Sequence, residues 1–260
     1  LANKLRARLE AGKVCINGWS VIPCNFTAEI FAQMGWDSVT LDIQHGLHDY
    51  RSAVNCIQAM QAHPVTPLVR VPWNEPGIIG KVLDAGAWGV ICPMVNNAED
   101  ARALVRASLY PPIGERSNGP VRAAAYGGRT PYQEIANSQV LILPQIETRE
   151  AVENLEEILD VPGISGVYVG PSDLGLSMGL APILDREEPE ILAIYDRVLV
   201  ETAKRGQFAG IQNGTPAYAA RMGALGFGLV TVSSDGALLG HSARQAMKAT
   251  REAIGERAAV

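Results

Sequence analysis

Eight short apolar runs rich in Val and Ile lie at 14–19, 38–42, 67–71, 89–95, 140–147, 166–170, 207–212 and 229–233, with helix-like segments between them. None alternates polar with apolar residues. Runs of that kind are expected to be strands buried on both faces, as in a parallel sheet, because a solvated face would impose a period of two. The intervening segments 50–62, 97–107, 148–160 and 188–206 carry apolar residues at helical spacing. Thr148 stands where an N-cap belongs, with Glu150 and Glu153 soon after it, and Gly206 stands where a C-cap glycine belongs. Eight β/α units in about 250 residues match a TIM (β/α)8 barrel. The G-x-G-x-x-G fingerprint of an open dinucleotide-binding sheet is missing after the first run. The expected architecture is one α/β barrel domain over residues 1–260.

Composition narrows the function. The chain is 47% hydrophobic, enough for a sizeable core, and no Gly/Ser tract or charge block divides it. The proline-rich stretch YPPIGERSNGP (110–120) is short enough to be a loop. A net charge of −5 without a basic stripe argues against nucleic acid as the main partner. No segment is apolar enough to span a bilayer, and residues 1–13 read as an amphipathic helix rather than a signal peptide. Cys15, Cys24, Cys56 and Cys92 share no C-x-x-C spacing, so they are expected to be reduced core thiols of a cytoplasmic protein.

In such a barrel the reactive groups come from the C-terminal ends of the strands. That rule gathers Asp42, Gln44 and His45 from the second run, Arg70 from the third, Gln145 and Glu147 from the fifth, and Gly170, Pro171, Ser172 and Asp173 from the sixth. Glu147 and Asp173, on adjacent strands, suit a hard divalent cation such as Mg or Mn that keeps open water positions. The alternative is that each caps a helix or pairs with an arginine. Arg70 interrupts an apolar strand and needs an anion, either a structural carboxylate or a bound enolate. Asp42 can orient the His45 imidazole for proton transfer. His48, His63 and His241 lack such company and read as structural. A cation, an arginine and a base together suit the making or quenching of an enolate beside a carbonyl. Lys4, Lys13, Lys81, Lys204 and Lys248 avoid the strand ends, which disfavours a Schiff-base aldolase.

These residues, with NGW (17–19), DIQH (42–45), RV (70–71), LDAGAWGVICPMV (83–95), PQIET (144–148), VGPSDL (169–174), SSD (233–235) and the 110–120 loop, give the chain its likeness. In order and spacing it resembles the HpcH/HpaI aldolase family, the class II metal-dependent pyruvate aldolases acting on 4-hydroxy-2-oxo acids. The resemblance implies Glu147 and Asp173 as ligands of a divalent metal (Mg, Mn or Co), and Arg70 as the group that neutralises the pyruvate enolate. It implies that Gln145 and the backbone of Gly170, Pro171 and Ser172 hold the pyruvyl group. It assigns the aldol hydroxyl proton to His45, supported by Asp42 and by an Asp84 from a neighbouring subunit. It also implies a homo-hexamer, a trimer of dimers that exchange the C-terminal helix 236–256. Family members commonly have Glu where this chain has Gln44, a swap that removes charge near His45 and Arg70. Trp19, the loop 23–29, the Arg116 segment and 211–214 are expected to surround the aldehyde. There Gln212 and Asn213 offer polar contacts for a hydroxylated one. Alternatives at the same rim are oxaloacetate decarboxylation, a CoA-dependent lyase or a non-catalytic barrel that binds 2-oxo acids.

Overall fold

The computed structural model describes residues 3–125 and 131–255. Eight strands, β1 (Cys15–Ser20), β2 (Ser38–Asp42), β3 (Thr66–Arg70), β4 (Gly89–Cys92), β5 (Leu141–Ile146), β6 (Gly166–Val169), β7 (Phe208–Asn213) and β8 (Leu229–Val232), close into a barrel in sequence order. Every neighbouring pair is parallel, including β8 with β1. The helices are α1 (Lys4–Glu10), α2 (Asn25–Ala32), α3 (Tyr50–Met60), α4 (Pro76–Asp84), α5 (Ala98–Ser108), α6 (Val121–Ala125), α7 (Tyr132–Gln139), α8 (Arg149–Glu153), α9 (Leu155–Leu159), α10 (Pro171–Ser177), α11 (Pro189–Lys204), α12 (Pro216–Leu225) and α13 (Asp235–Ala253).

The expected TIM barrel is the observed fold, and its strands fall within a few residues of the apolar runs. Two elements differ for local reasons. The 89–95 run stops being a strand at Cys92 because Met94 adopts a left-handed backbone, φ 54°, which a strand cannot continue through. The expected helix 148–160 is two short helices, α8 and α9. Asn154 leaves helical geometry between them (φ −95°, ψ 16°) while its side chain donates to the Asn96 carbonyl at 3.0 Å. Thr148 does cap α8, accepting from the Ala151 N–H, and Gly206 has the positive φ of a helix stop.

Two apolar layers hold the barrel. Between strands and helices, Val39, Leu41, Val69, Val90, Ile142 and Val167 are packed against the helix faces. The interior layer is formed by Leu68, Ile91, Leu141, Leu143 and Leu229, with Leu5 and Leu9 of α1 closing one end and Trp19 and Tyr168 above. Helix α13 touches the outer layer near its start, where Leu238 packs against it. It is anchored through the buried Asp235, while most of its length is exposed. All four cysteines are free thiols. No helix among the described residues is long and apolar enough to cross a membrane.

Candidate active site

Parallel register places the central ion pair. Asp42 and Arg70 are Cα partners at the ends of β2 and β3, so their side chains leave the barrel wall side by side. The Arg70 guanidinium forks onto the carboxylate, Nε to Oδ1 at 2.9 Å and Nη2 to Oδ2 at 2.6 Å. Its face lies over the Trp19 ring, 4.8 Å from the centroid, and Trp19 stacks in turn on Tyr168. The remaining capacity of Asp42 is used by the Trp19 Nε1–H at 3.3 Å and by the backbone N–H groups of Gln44 and His45. Burial alone would raise this carboxyl. The Arg70 guanidinium and those N–H donors outweigh it and hold Asp42 below the usual carboxylate range.

This corrects one expectation. Asp42 was expected to orient the His45 imidazole, but it binds the His45 backbone instead and directs its charge at Arg70. The exposed His45 ring makes no hydrogen bond among the described residues. The turn 43–46 is therefore held by an aspartate that also fixes the arginine. His48, expected to be structural, is buried next to Ser20, whose hydroxyl donates to Asp235 at 2.9 Å.

Glu147 lies just beyond β5, 2% exposed. Its Oε1 accepts from the Met94 N–H at 2.8 Å, and its Oε2 accepts from Gln145 Nε2 at 2.5 Å. The left-handed turn at Met94 is what aims that N–H. Burial pushes the Glu147 carboxyl up to about 7 against the Met94 N–H, and the charge of Asp173 adds to the rise. Asp173 sits in the first turn of α10, which begins directly after β6. Gly170 lets that turn approach, since a Cβ there would lie 2.5 Å from Gln145 Nε2 and 2.6 Å from Glu147 Oε2.

Among the described residues no Lys or Arg pairs with Glu147 or Asp173, and no three His, Cys, Asp or Glu form a metal cluster. Two carboxylates, one of them buried and unpaired, fit a hard cation that takes its other ligands from water or substrate. The Gln145 Oε1 is a further buried acceptor without a partner. Beside these groups opens a pocket of about 210 Å³ lined by Trp19, His45, Arg70, Gln145, Tyr168, Gly170, Pro171, Ser172, Asp173, Leu184 and Gln212. No lysine is among its described lining residues.

The HpcH/HpaI aldolase/citrate lyase family pattern matches residues 23–239. The chain belongs to that family. It is 39% identical over 249 residues to a hydroxypyruvate/pyruvate aldolase of Rhizorhabdus wittichii, covering 96% of this chain and 99% of the relative. It is 37% identical over 245 residues to a 4-hydroxy-2-oxo-heptane-1,7-dioate aldolase of Escherichia coli, covering 94% of this chain and 93% of the relative. A crystal structure of an HpcH/HpaI aldolase/citrate lyase family protein from Burkholderia cenocepacia superposes with a TM-score of 0.89 at 33% identity, covering 96% of this chain and 100% of that one. The protein is an aldolase, a carbon–carbon lyase.

Of the aldolase's expected site residues, Asp84 and Arg116 are not at this pocket on their own chain. Asp84 ends α4 and accepts from Arg116 Nη2 at 2.6 Å. Arg116 is buried between the rings of Tyr110 and Tyr132, 4.6 Å and 5.5 Å from their centroids. The 23–29 stretch opens α2, away from the pocket. Asn213 is buried and donates to the carbonyls of Thr231 and Ile211, so it is structural, whereas Gln212 faces the pocket. The Gln44 amide oxygen is buried without a partner. Two groups escaped the sequence reading. The Met94 contact is made by a backbone N–H and leaves no trace in residue type. Tyr168 does leave a signal: a lone phenol between Val167 and Val169 in a run otherwise without polar groups.

Proposed function

We propose that this aldolase cleaves and forms 4-hydroxy-2-oxo acids, with pyruvate or a related 2-oxo acid as one product and a short aldehyde as the other. The observation that carries this is the buried Glu147, in no ion pair among the described residues, beside an Asp173 that lines a pocket with Arg70 and His45. Glu147 and Asp173 would hold a divalent cation (Mg, Mn or Co), which would supply Lewis acidity to the bound 2-oxo acid. Arg70, fixed by Asp42, faces the negative charge that develops on the keto oxygen as the C3–C4 bond breaks. Gln145 and the backbone of Gly170–Ser172 seat the pyruvyl group. His45, exposed at the pocket mouth, takes the proton from the 4-hydroxyl during cleavage and returns it during synthesis.

The deciding experiment is pyruvate release from a 4-hydroxy-2-oxo acid by EDTA-stripped protein, with and without Mg, Mn or Co. Stripping should abolish activity and a cation should restore it; full activity after stripping defeats the reading. Proton and cation compete for Glu147. With its carboxyl near 7, apparent metal affinity should fall about tenfold for each pH unit below 7 and level off above it.

His45→Ala should lower aldol cleavage about 10³-fold. Decarboxylation of oxaloacetate, which needs no base at a 4-hydroxyl, should be largely kept. Equal loss of both would remove the role given to His45.

The exposed length of α13 and the position of Asp84 support a homo-hexamer, a trimer of dimers exchanging the C-terminal helix, with Asp84 completing a neighbour's site. Residue 256 of the expected exchanged helix lies outside the described residues. Mixed oligomers of Asp84→Asn and Glu147→Gln chains, each weak alone, should regain activity if sites are shared. No gain on mixing would confine each site to one chain.

A further inference from the structure

The barrel interior holds a row of buried polar side chains that the catalytic groups do not account for. The hydroxyls of Ser38 and Thr40 both donate to Asn17 Oδ1, at 2.8 Å and 3.1 Å. Asn17 Nδ2 donates to Thr231 Oγ1 at 2.8 Å. Thr231 Oγ1 lies 2.5 Å from the Tyr168 hydroxyl, which donates to Gln212 Oε1 at 2.7 Å. Ser38, Thr40, Asn17, Thr231 and Tyr168 are fully buried. Register makes the row continuous, since Asn17 is the Cα partner of both Ser38 and Thr231, and Thr231 is the partner of Gln212. Gly210 leaves room for the phenol, because a Cβ there would lie 2.7 Å from the Tyr168 ring.

Proton placement gives this row a direction. Among the described residues Ser38 and Thr40 make no other hydrogen bond through their hydroxyls, so each buried proton goes to Asn17, and only the amide oxygen has two lone pairs to accept them. The Asn17 nitrogen is thereby turned to Thr231. Having accepted from Asn17, Thr231 has no acceptor for its own proton except Tyr168. Tyr168, having accepted, must donate to Gln212. The reverse order strands buried hydroxyl protons at a cost that interiors avoid.

We propose that this one-way relay locks the Gln212 amide with its oxygen on Tyr168 and its NH2 group presented to the pocket, so that the aldehyde half is selected for a hydrogen-bond acceptor next to its carbonyl. Gln212 lines the pocket, is half-buried, and its nitrogen has no partner among the described residues. Arg70, Gln145 and Asp173 serve the 2-oxo acid end of the same pocket, which leaves Gln212 for the other half. A volume of about 210 Å³ favours a short aldehyde. The preferred class is a 2-hydroxyaldehyde over its deoxy counterpart. This rests on the aldolase reading above, and Tyr168 acts here as a positioning residue.

The test is pyruvate addition to glycolaldehyde and to propanal, which have the same number of heavy atoms, by the metal-loaded enzyme. The quantity read is the ratio of kcat/KM values, compared between variants so that aldehyde hydration cancels. Wild type should favour glycolaldehyde. Gln212→Met keeps the length of the side chain but removes the exposed donor, and should lower the ratio about tenfold. Tyr168→Phe keeps Gln212 but frees it to turn, and should lower the ratio about threefold, whatever its effect on the two kcat/KM values taken separately. A merely structural role would depress both aldehydes alike. Turnover of both aldehydes with a ratio that neither variant moves overturns the proposal and leaves the aldolase reading standing. No turnover of either aldehyde by wild type, with oxaloacetate decarboxylation intact, overturns both.

Discussion

Glu147→Gln should lower kcat for pyruvate release by about 10³-fold while the barrel stays folded. The substitution keeps the size of the side chain and an oxygen for the Met94 N–H. The new amide nitrogen faces Gln145, whose side chain can turn to offer its unpartnered Oε1 in place of its nitrogen, so no buried group is left worse satisfied. Only the charge is lost. Because burial already holds that charge at a cost, thermal stability without metal should be equal to or above that of wild type. A fall in kcat accompanied by a large fall in Tm would mean that Glu147 is a packing residue. Unchanged kcat would remove it from the site altogether.

Arg70→Lys should lower kcat/KM by about 10²- to 10³-fold. The guanidinium holds both oxygens of Asp42 and lies flat on Trp19, a geometry that a single ammonium cannot reproduce while still facing the pocket. Asp42→Asn should damage the same function from the other side, since an Asn nitrogen would oppose an Arg70 N–H. Leaving Arg70, only 11% exposed, without its anion should also cost about 3–5 kcal/mol of stability. The double variant separates the two roles considered for Asp42. If it acts through Arg70, Arg70→Lys with Asp42→Asn should be scarcely worse than Arg70→Lys alone. If it acts through the His45 imidazole, non-additivity should appear with His45→Ala instead. Single-turnover rates and denaturant melts on the same samples decide between them.

Residues near one another in sequence were the easiest part of the site to read. Asp42 and His45 are joined by a turn, and Gln145 and Glu147 are two apart at the end of β5, so the barrel rule alone brings them to the rim. Which contacts they make was less legible. The pairing of Asp42 with Arg70 rather than with the imidazole depends on strand register, between residues 28 positions apart in the chain. The Met94 donor is a backbone group at a left-handed residue, which any side chain would disguise. Asp84 and Arg116 meet because α4 ends beside the 110–120 loop, a contact absent from any local pattern.

The sequence by itself determined the closed barrel and which carboxylates, arginine and histidine stand at the C-terminal ends of its strands. Strand burial, helix periodicity and residue type act locally or by a repeated rule, so they survive in one dimension. Only the tertiary structure decided which charge meets which: that Asp42 steadies Arg70, that Glu147 is in no ion pair among the described residues, and that α13 is left largely uncovered by its own barrel. Those outcomes depend on register and burial, which together set the distance between charges and the dielectric around them, and neither quantity is a property of any single stretch of chain.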